Sequence, residues 1–361
     1  MNPIDCFETD YAGARARFLA VCAAAGVPVQ THLHPLRLSD GGQLATDVVR
    51  LGPLNAKRLL VLTSGVHGPE LMAGSACQAG WLRQFGARSL PPDTAVVLVH
   101  AINPWGAAHL RRNNEDNVDL CRNWIDFGSQ LPTNLAYETL HAAVAVEPAE
   151  PNALAAGDAQ LARYQIEGGG PALYGALMAG QYKQADGMGF GGSAPTWSRR
   201  TMEAILTEQA AEPQRVCMID YHTGVGPYAY GSIVALQCGE SLERAKRAFG
   251  GWVIAPNEEG RPADFVPVTG HTTPGYEALL AHAETTAVVL EFGTQPAGRM
   301  LELLLADHRE TFARSPQAER LHLARDAIRQ FFYPADPHWR QAVWDRSNQV
   351  IRQAFEHLQH A

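Results

Sequence analysis

Five short apolar runs, each closed by turn-forming residues, set the strongest limit on what this chain can fold into. They are Arg58–Val66 (RLLVLTSGV), Thr94–Ile102 (TAVVLVHAI), Arg215–Tyr221 (RVCMIDY), Ser232–Gln237 and Thr286–Phe292 (TAVVLEF). Their Val, Leu and Ile residues run nearly unbroken instead of alternating with polar ones. Strands that read this way are covered on both faces, as in a mixed or parallel α/β sheet. Helical periodicity fills the intervals, over about 70–86, 133–145, 156–165, 171–181, 197–211 and 240–250. An amphipathic helix is predicted over 10–25, and helices over about 299–360, broken near Pro334 and Pro337. The stretch 147–157 reads as a surface connection, and the glycine-rich stretch 186–198 as a loop that could rim a pocket. Strand signals recur along most of the chain, so a single α/β domain over 1–361 is expected. Its core would span about 35–335, with an N-terminal helix and a C-terminal helical extension.

Composition narrows the function classes. Asp and Glu number 37 against 29 Lys and Arg, for a formal charge of −8, and no basic cluster is present. Nucleic-acid binding is therefore not expected. No apolar run reaches membrane-spanning length. The short apolar stretch Phe18–Val27 follows Asp5, Glu8 and Asp10, where a secretory signal needs positive charge. The six cysteines form no CxxC pair, which fits reduced thiols and a cytoplasmic location.

Four segments carry chemistry. His67-Gly68-Pro69-Glu70 follows the first run, so both side chains sit at the carboxyl end of a buried strand, where open α/β sheets place ligands. Imidazole and carboxylate both ligate zinc; equally, Glu70 could simply favour a helix start. His222, in Asp220-Tyr221-His222-Thr223-Gly224, ends another apolar run and could supply a third ligand, leaving a fourth position for water. Asp220 shares its strand face if the strand stays regular, and could then support it from behind. Glu291 interrupts an apolar strand, where a carboxylate is costly unless paired or functional. Desolvation there would raise its pKa and suit a general base; the alternative is an edge-strand Glu facing solvent. Finally, Asn103-Pro104-Trp105-Gly106 is followed by Arg111, Arg112 and Arg122 among asparagines. Such arginines could meet a developing oxyanion and a substrate carboxylate, or form a solvated basic loop.

Taken in order, HGPE (67–70), NPWG (103–106), RRNNEDNVDLCRNW (111–124), DYHTG (220–224) and LEFGT (290–294) resemble the zinc carboxypeptidase family. The likeness covers about residues 55–295 and is greatest to a poorly characterised bacterial branch, whose TG-x-GP-Y stretch is matched by Thr223–Tyr228. The resemblance implies a mixed, mostly parallel eight-stranded sheet sandwiched between helices. It implies one Zn2+ held by His67, Glu70 and His222. Glu291 would be general base and then proton donor, and Arg112 would stabilise the oxyanion. Arg122, with Asn123 and Arg111 beside it, would bind the substrate carboxylate. Two departures stand out: Cys121 occupies the place of the family's usual Asn before the carboxylate-binding Arg, and Trp105 that of the NPDG aspartate. No motif marks the family's mobile tyrosine; Tyr228, Tyr230 and Tyr276 are candidates.

The expected activity is hydrolysis of an amide bond next to a free carboxylate, in a peptide or an N-acyl amino acid. An N-acyl-amino-acid deacylase, like the aspartoacylase and succinylglutamate desuccinylase relatives, is the alternative. Those relatives often end in a small β-rich domain, whereas this chain ends in helices. A non-catalytic zinc-binding scaffold is the third reading. A homo-oligomer is compatible with the sequence.

Overall fold

A computed structural model describes residues 3–258 and 265–360. The chain begins with helix α1 (Tyr11–Ala24), strands β1 (Val29–Arg37), β2 (Gln43–Leu51) and β3 (Arg58–Ser64), then α2 (Leu71–Gln84) and β4 (Thr94–His100). Helices α3 (Pro104–His109), α4 (Leu135–Val144), α5 (Pro151–Gly168), α6 (Gly170–Met178) and α7 (Trp197–Gln209) precede β5 (Arg215–Gly224) and β6 (Gly231–Val234). Then come α8 (Glu240–Phe249), α9 (Thr272–Leu279), β7 (Glu284–Gly293), α10 (Ala297–Thr311), α11 (Ala318–Phe332) and α12 (Pro337–His360).

Among the described residues the sheet has seven strands, not the expected eight, in the order β1-β2-β4-β3-β5-β7-β6. Its centre, β4-β3-β5-β7, is parallel; β1, β2 and β6 pair antiparallel at the edges. The parallel strands are the apolar runs of the sequence, and they are buried because helices cover both faces. One face packs against α1, α2, α8 and α12, the other against α7 and α9. Helices α4, α5, α6, α10 and α11 form a further apolar cluster beside the sheet.

Two segments differ from expectation. Residues 151–168 form a helix, with Pro151 in its first turn, where a missing N–H costs nothing. The last helix is no appendage. Trp339 is fully buried and its indole N–H donates to Gly293 O at 3.0 Å, while Tyr221 and Ser347 hydroxyls meet at 2.6 Å. α12 thus braces the ends of β5 and β7 from below. Among the described residues, no helix is long and apolar enough to cross a membrane, and all six cysteines are free.

Candidate metal centre and active site

Because β3, β5 and β7 run parallel, their carboxyl ends open on one edge of the sheet. His67 follows β3, His222 lies near the end of β5, and Glu291 lies beside His222 in the β5–β7 register. The loop that carries His67 is fixed by two glycines. Gly65 takes a positive φ of 75°. At Gly68 an added Cβ would lie 2.0 Å from Gly106 C, so the HGPE and NPWG turns pack backbone against backbone. Asn103 caps α3 by accepting from Gly106 N–H at 2.9 Å.

The two imidazoles converge. Their ring centroids are 5.0 Å apart, and both turn Nδ1 toward the Glu70 carboxylate. His67 Nδ1 is 2.9 Å from Glu70 Oε1, and His222 Nδ1 is 3.1 Å from Glu70 Oε2. The opposite ring nitrogens are each backed by a buried carboxylate. His67 Nε2 meets Asp119 Oδ1 at 3.0 Å and His222 Nε2 meets Asp220 Oδ2 at 3.1 Å. β5 stays regular through 220–222, so Asp220 and His222 share a face. Asp220 is itself held by hydroxyls of Thr63 at 2.7 Å and Thr272 at 3.1 Å. Carboxylate–imidazole pairs of this kind fix the tautomer and leave the facing nitrogen as a ligand. His67 Nδ1, buried, has no hydrogen-bond partner despite its closeness to Glu70. An orphaned imidazole lone pair beside a carboxylate and a second imidazole fits a divalent cation. Cys121 joins this group: a ligand atom from each of His67, Cys121 and His222 lies within 4.8 Å of the other two.

The electrostatics agree with that fit. Burial and Arg112 both oppose a charged His67, but Glu70, Cys121 and Asp119 outweigh them and raise its pKa to about 10. Burial pushes the Glu70 carboxyl up, yet His67 and His222 hold it well below the usual range. Glu291 goes the other way. Burial, then the charge of Glu70, raise it to about 7 against the pull of His222. Its Oε1 accepts from Val225 N–H at 2.9 Å.

A cavity opens above the centre, lined by His67, Glu70, Arg112, Cys121, Arg122, His222 and Glu291. Six of the eight residues expected from sequence therefore meet there, and two do not. Arg111, next to Arg112, turns away to a buried ion pair with Asp307 of α10, Nε to Oδ2 3.0 Å. The Asn123 amide is spent on structure, donating to Gly191 O and Ala194 O and accepting from Thr196 N–H. These are corrections to the expected substrate-binding set. The glycine-rich stretch also lies elsewhere; Gly191 packs under the Arg122 backbone instead of on the cavity rim.

Arg112 bridges Glu70 Oε1 and Asp119 Oδ2, both at 3.3 Å. Arg122 donates to Met178 O through Nε and Nη2, and to Cys121 O through Nη1. Three of its five N–H groups are then used and two remain. Two other lining residues, Tyr174 and His271, carry no motif that marks them in the sequence. Both come from segments without strand periodicity. Of the tyrosines considered, Tyr276 is buried against Trp124, and Tyr228 is exposed and donates to Asp336. The outer wall is apolar, built from Val225, Val234, Leu236, Phe265, Val268 and Val289.

The mixed sheet with a parallel centre, flanked by helices on both faces, is the zinc carboxypeptidase-like class of fold. The carboxypeptidase A of Helicoverpa armigera superposes with a TM-score of 0.50 at 12% identity, over 96% of this chain and 73% of that one. Over residues 7–346 the chain matches, and belongs to, the family described as "Protein of unknown function (DUF2817)". The murein-tripeptide amidase MpaA of Escherichia coli O157 is similar at 15% identity and a TM-score of 0.36, covering 85% of this chain and 93% of that one. An aspartoacylase family protein of Mesorhizobium loti MAFF303099 is similar at 15% identity and a TM-score of 0.38, covering 74% and 61%. No curated protein matches the chain.

Proposed function

We propose that the protein is a zinc-dependent hydrolase that cleaves an amide bond adjacent to a free carboxylate, with an apolar group beside that bond. The observation that carries this reading is the paired orientation of His67 and His222. Each turns Nδ1 toward Glu70 and rests Nε2 on a buried carboxylate. His67, Glu70 and His222 would hold the ion. When bound, zinc supplies Lewis acidity and lowers the pKa of water from about 16 to about 7.

The chain's own groups divide the remaining work. Glu291, with its pKa raised to about 7, is matched to taking a proton from the attacking water and returning it to the leaving amine. Arg112, held by Glu70 and Asp119, presents its guanidinium to the oxygen that gains charge as the carbonyl becomes tetrahedral. The two free N–H groups of Arg122 suit a carboxylate, which takes parallel N–H donors from one guanidinium. The apolar wall accommodates a hydrophobic side chain or acyl group and excludes water from the reacting atoms.

The test is metal analysis of the purified protein, then a panel of peptides with free and blocked C-termini and of N-acyl amino acids. Zinc at one equivalent with turnover restricted to free-carboxylate substrates is expected. Cleavage of N-acyl amino acids alone would reassign the activity to a deacylase. Zinc without turnover of any amide would make the chain a binding protein.

A further inference from the structure

Cys121 stands where carboxypeptidases usually carry an amide, and its surroundings are those of a ligand. It sits on a 3₁₀ turn (Leu120–Arg122), 1% exposed, and lines the cavity. Its backbone is pinned by the carboxylate that also backs His67: Asp119 Oδ1 accepts Cys121 N–H at 3.0 Å and meets His67 Nε2 at 3.0 Å. One side chain thus holds both the Cys121 backbone and the His67 imidazole. The thiol shares this pocket with His67 and His222, and His67 Nδ1, buried, has no hydrogen-bond partner.

We propose that Cys121 is a fourth protein ligand of the resting metal ion, closing the centre until water or substrate displaces it. The proposal rests on the reading of the cavity as a metal centre. The candidate ligand atoms of His67, Cys121 and His222 already lie within 4.8 Å of one another. Zinc–nitrogen and zinc–sulfur bonds at tetrahedral angles put N and S about 3.6 Å apart, so each such pair need close by no more than about 1.2 Å. Thiolate is a strong zinc ligand, and ligation exchanges the thiol proton, released to solvent, for the ion. With Glu70 and both histidines bound, sulfur takes the position that a hydrolytic zinc keeps for water. Hydrolysis then requires Cys121 to leave, and its substitution leaves that position open to solvent.

Cobalt(II) tests this without reference to activity. Apoprotein loaded with cobalt should show a thiolate-to-cobalt charge-transfer band in the near ultraviolet, absent from Cys121→Ser while the visible d–d bands persist. Cobalt bound with the same near-ultraviolet spectrum in both proteins would overturn the thiolate ligand and leave the metal centre intact. No cobalt binding at all would overturn both. Should the variant fail to fold, the native protein answers the question. Alkylation of Cys121 by iodoacetamide, read by peptide mass mapping, should slow at least about tenfold on metal loading. Equal labelling of Cys121 with and without metal would exclude it as a ligand.

Discussion

Asp119→Asn separates a carboxylate that tunes the metal ligand from one that merely fills space. The buried Asp119 carboxylate takes His67 Nε2 and Cys121 N–H on Oδ1 and Arg112 Nε on Oδ2. Burial raises its pKa, but Arg112, Arg122 and His67 outweigh that and hold it ionised, well below the usual range. Asparagine has the same shape. Its oxygen can replace Oδ1, but its amide nitrogen then faces the Arg112 donor, and the charge that makes His67 a better ligand is gone. Replacing such a supporting group costs about 10–100-fold in metal affinity, or about 1.4–2.7 kcal/mol. With an unfolding entropy of about 2.1 cal/mol/K per residue, a chain of 361 residues loses about 2–4 °C of metal-dependent thermal stabilisation. Competition with a chromophoric chelator at neutral pH measures the first quantity, and melting with and without metal measures the second. Asp220→Asn, acting through His222, should behave alike. If both variants keep native metal affinity within about threefold, the carboxylates are packing groups and the ligand assignment of the two histidines fails with them.

The remaining predictions are independent of that one. Glu291→Gln should lower turnover by about 10²–10⁴ with unchanged metal content; activity that survives would remove Glu291 as the base. Gly68→Ala should destabilise the fold by about 1–3 kcal/mol, because its Cβ would collide with the Gly106 backbone. A native urea midpoint would show that the two turns can part. His100 is buried, stacked on Phe18 and bonded to Ser75 Oγ, and burial lowers its pKa to about 4. It is neutral when folded and takes a proton near pH 6.5 when unfolded. Its contribution of about 3 kcal/mol is therefore present above pH ~6.5 and lost as pH falls toward 4. His100→Gln should flatten the fall in unfolding free energy across that window, and an unchanged slope would place the acid sensitivity elsewhere.

What the sequence revealed depended on how strongly burial patterned it. β3, β4, β5 and β7 are covered on both faces and read as apolar runs, so the parallel centre of the sheet was legible. β1 and β2 were not. β1 is a mostly exposed edge strand containing His32, His34 and Pro35. β2 carries Asp47, whose charge is matched by Arg15 of α1 and which accepts a hydrogen bond from the Thr31 hydroxyl of β1. The candidate ligands and Glu291 were legible because His222 and Glu291 lie near the ends of buried strands and His67 and Glu70 in the turn that follows one. Arg111 and Arg112 show where such reasoning stops. They are adjacent in sequence, yet Asp307, far along the chain, and Asn117 hold one of them out of the cavity. Cys121 was visible as a departure from the family pattern, but its closeness to both histidines was not, because nothing local encodes it.

In the metal centre proposed above, charge balance favours a divalent ion. Glu70, Asp119, Asp220 and Glu291 gather around the two imidazoles, and only Arg112 and Arg122 face them with fixed positive charge. When all four are ionised, these carboxylates against two guanidinium groups leave an uncompensated pair of negative charges at low dielectric, which protons, including the one that the raised pKa of Glu291 retains, or a cation must offset. In the metal-free pocket protons serve, and His67 and His222 are both driven toward their charged forms. A divalent cation carries the same charge to the same place and lets both imidazoles become neutral ligands, so binding must release protons and strengthen as pH rises. A monovalent ion would leave one charge unmatched. In the proposed metal centre the carboxylates favour a divalent charge, and two imidazoles with a neighbouring thiol make a donor set that suits zinc better than magnesium or calcium.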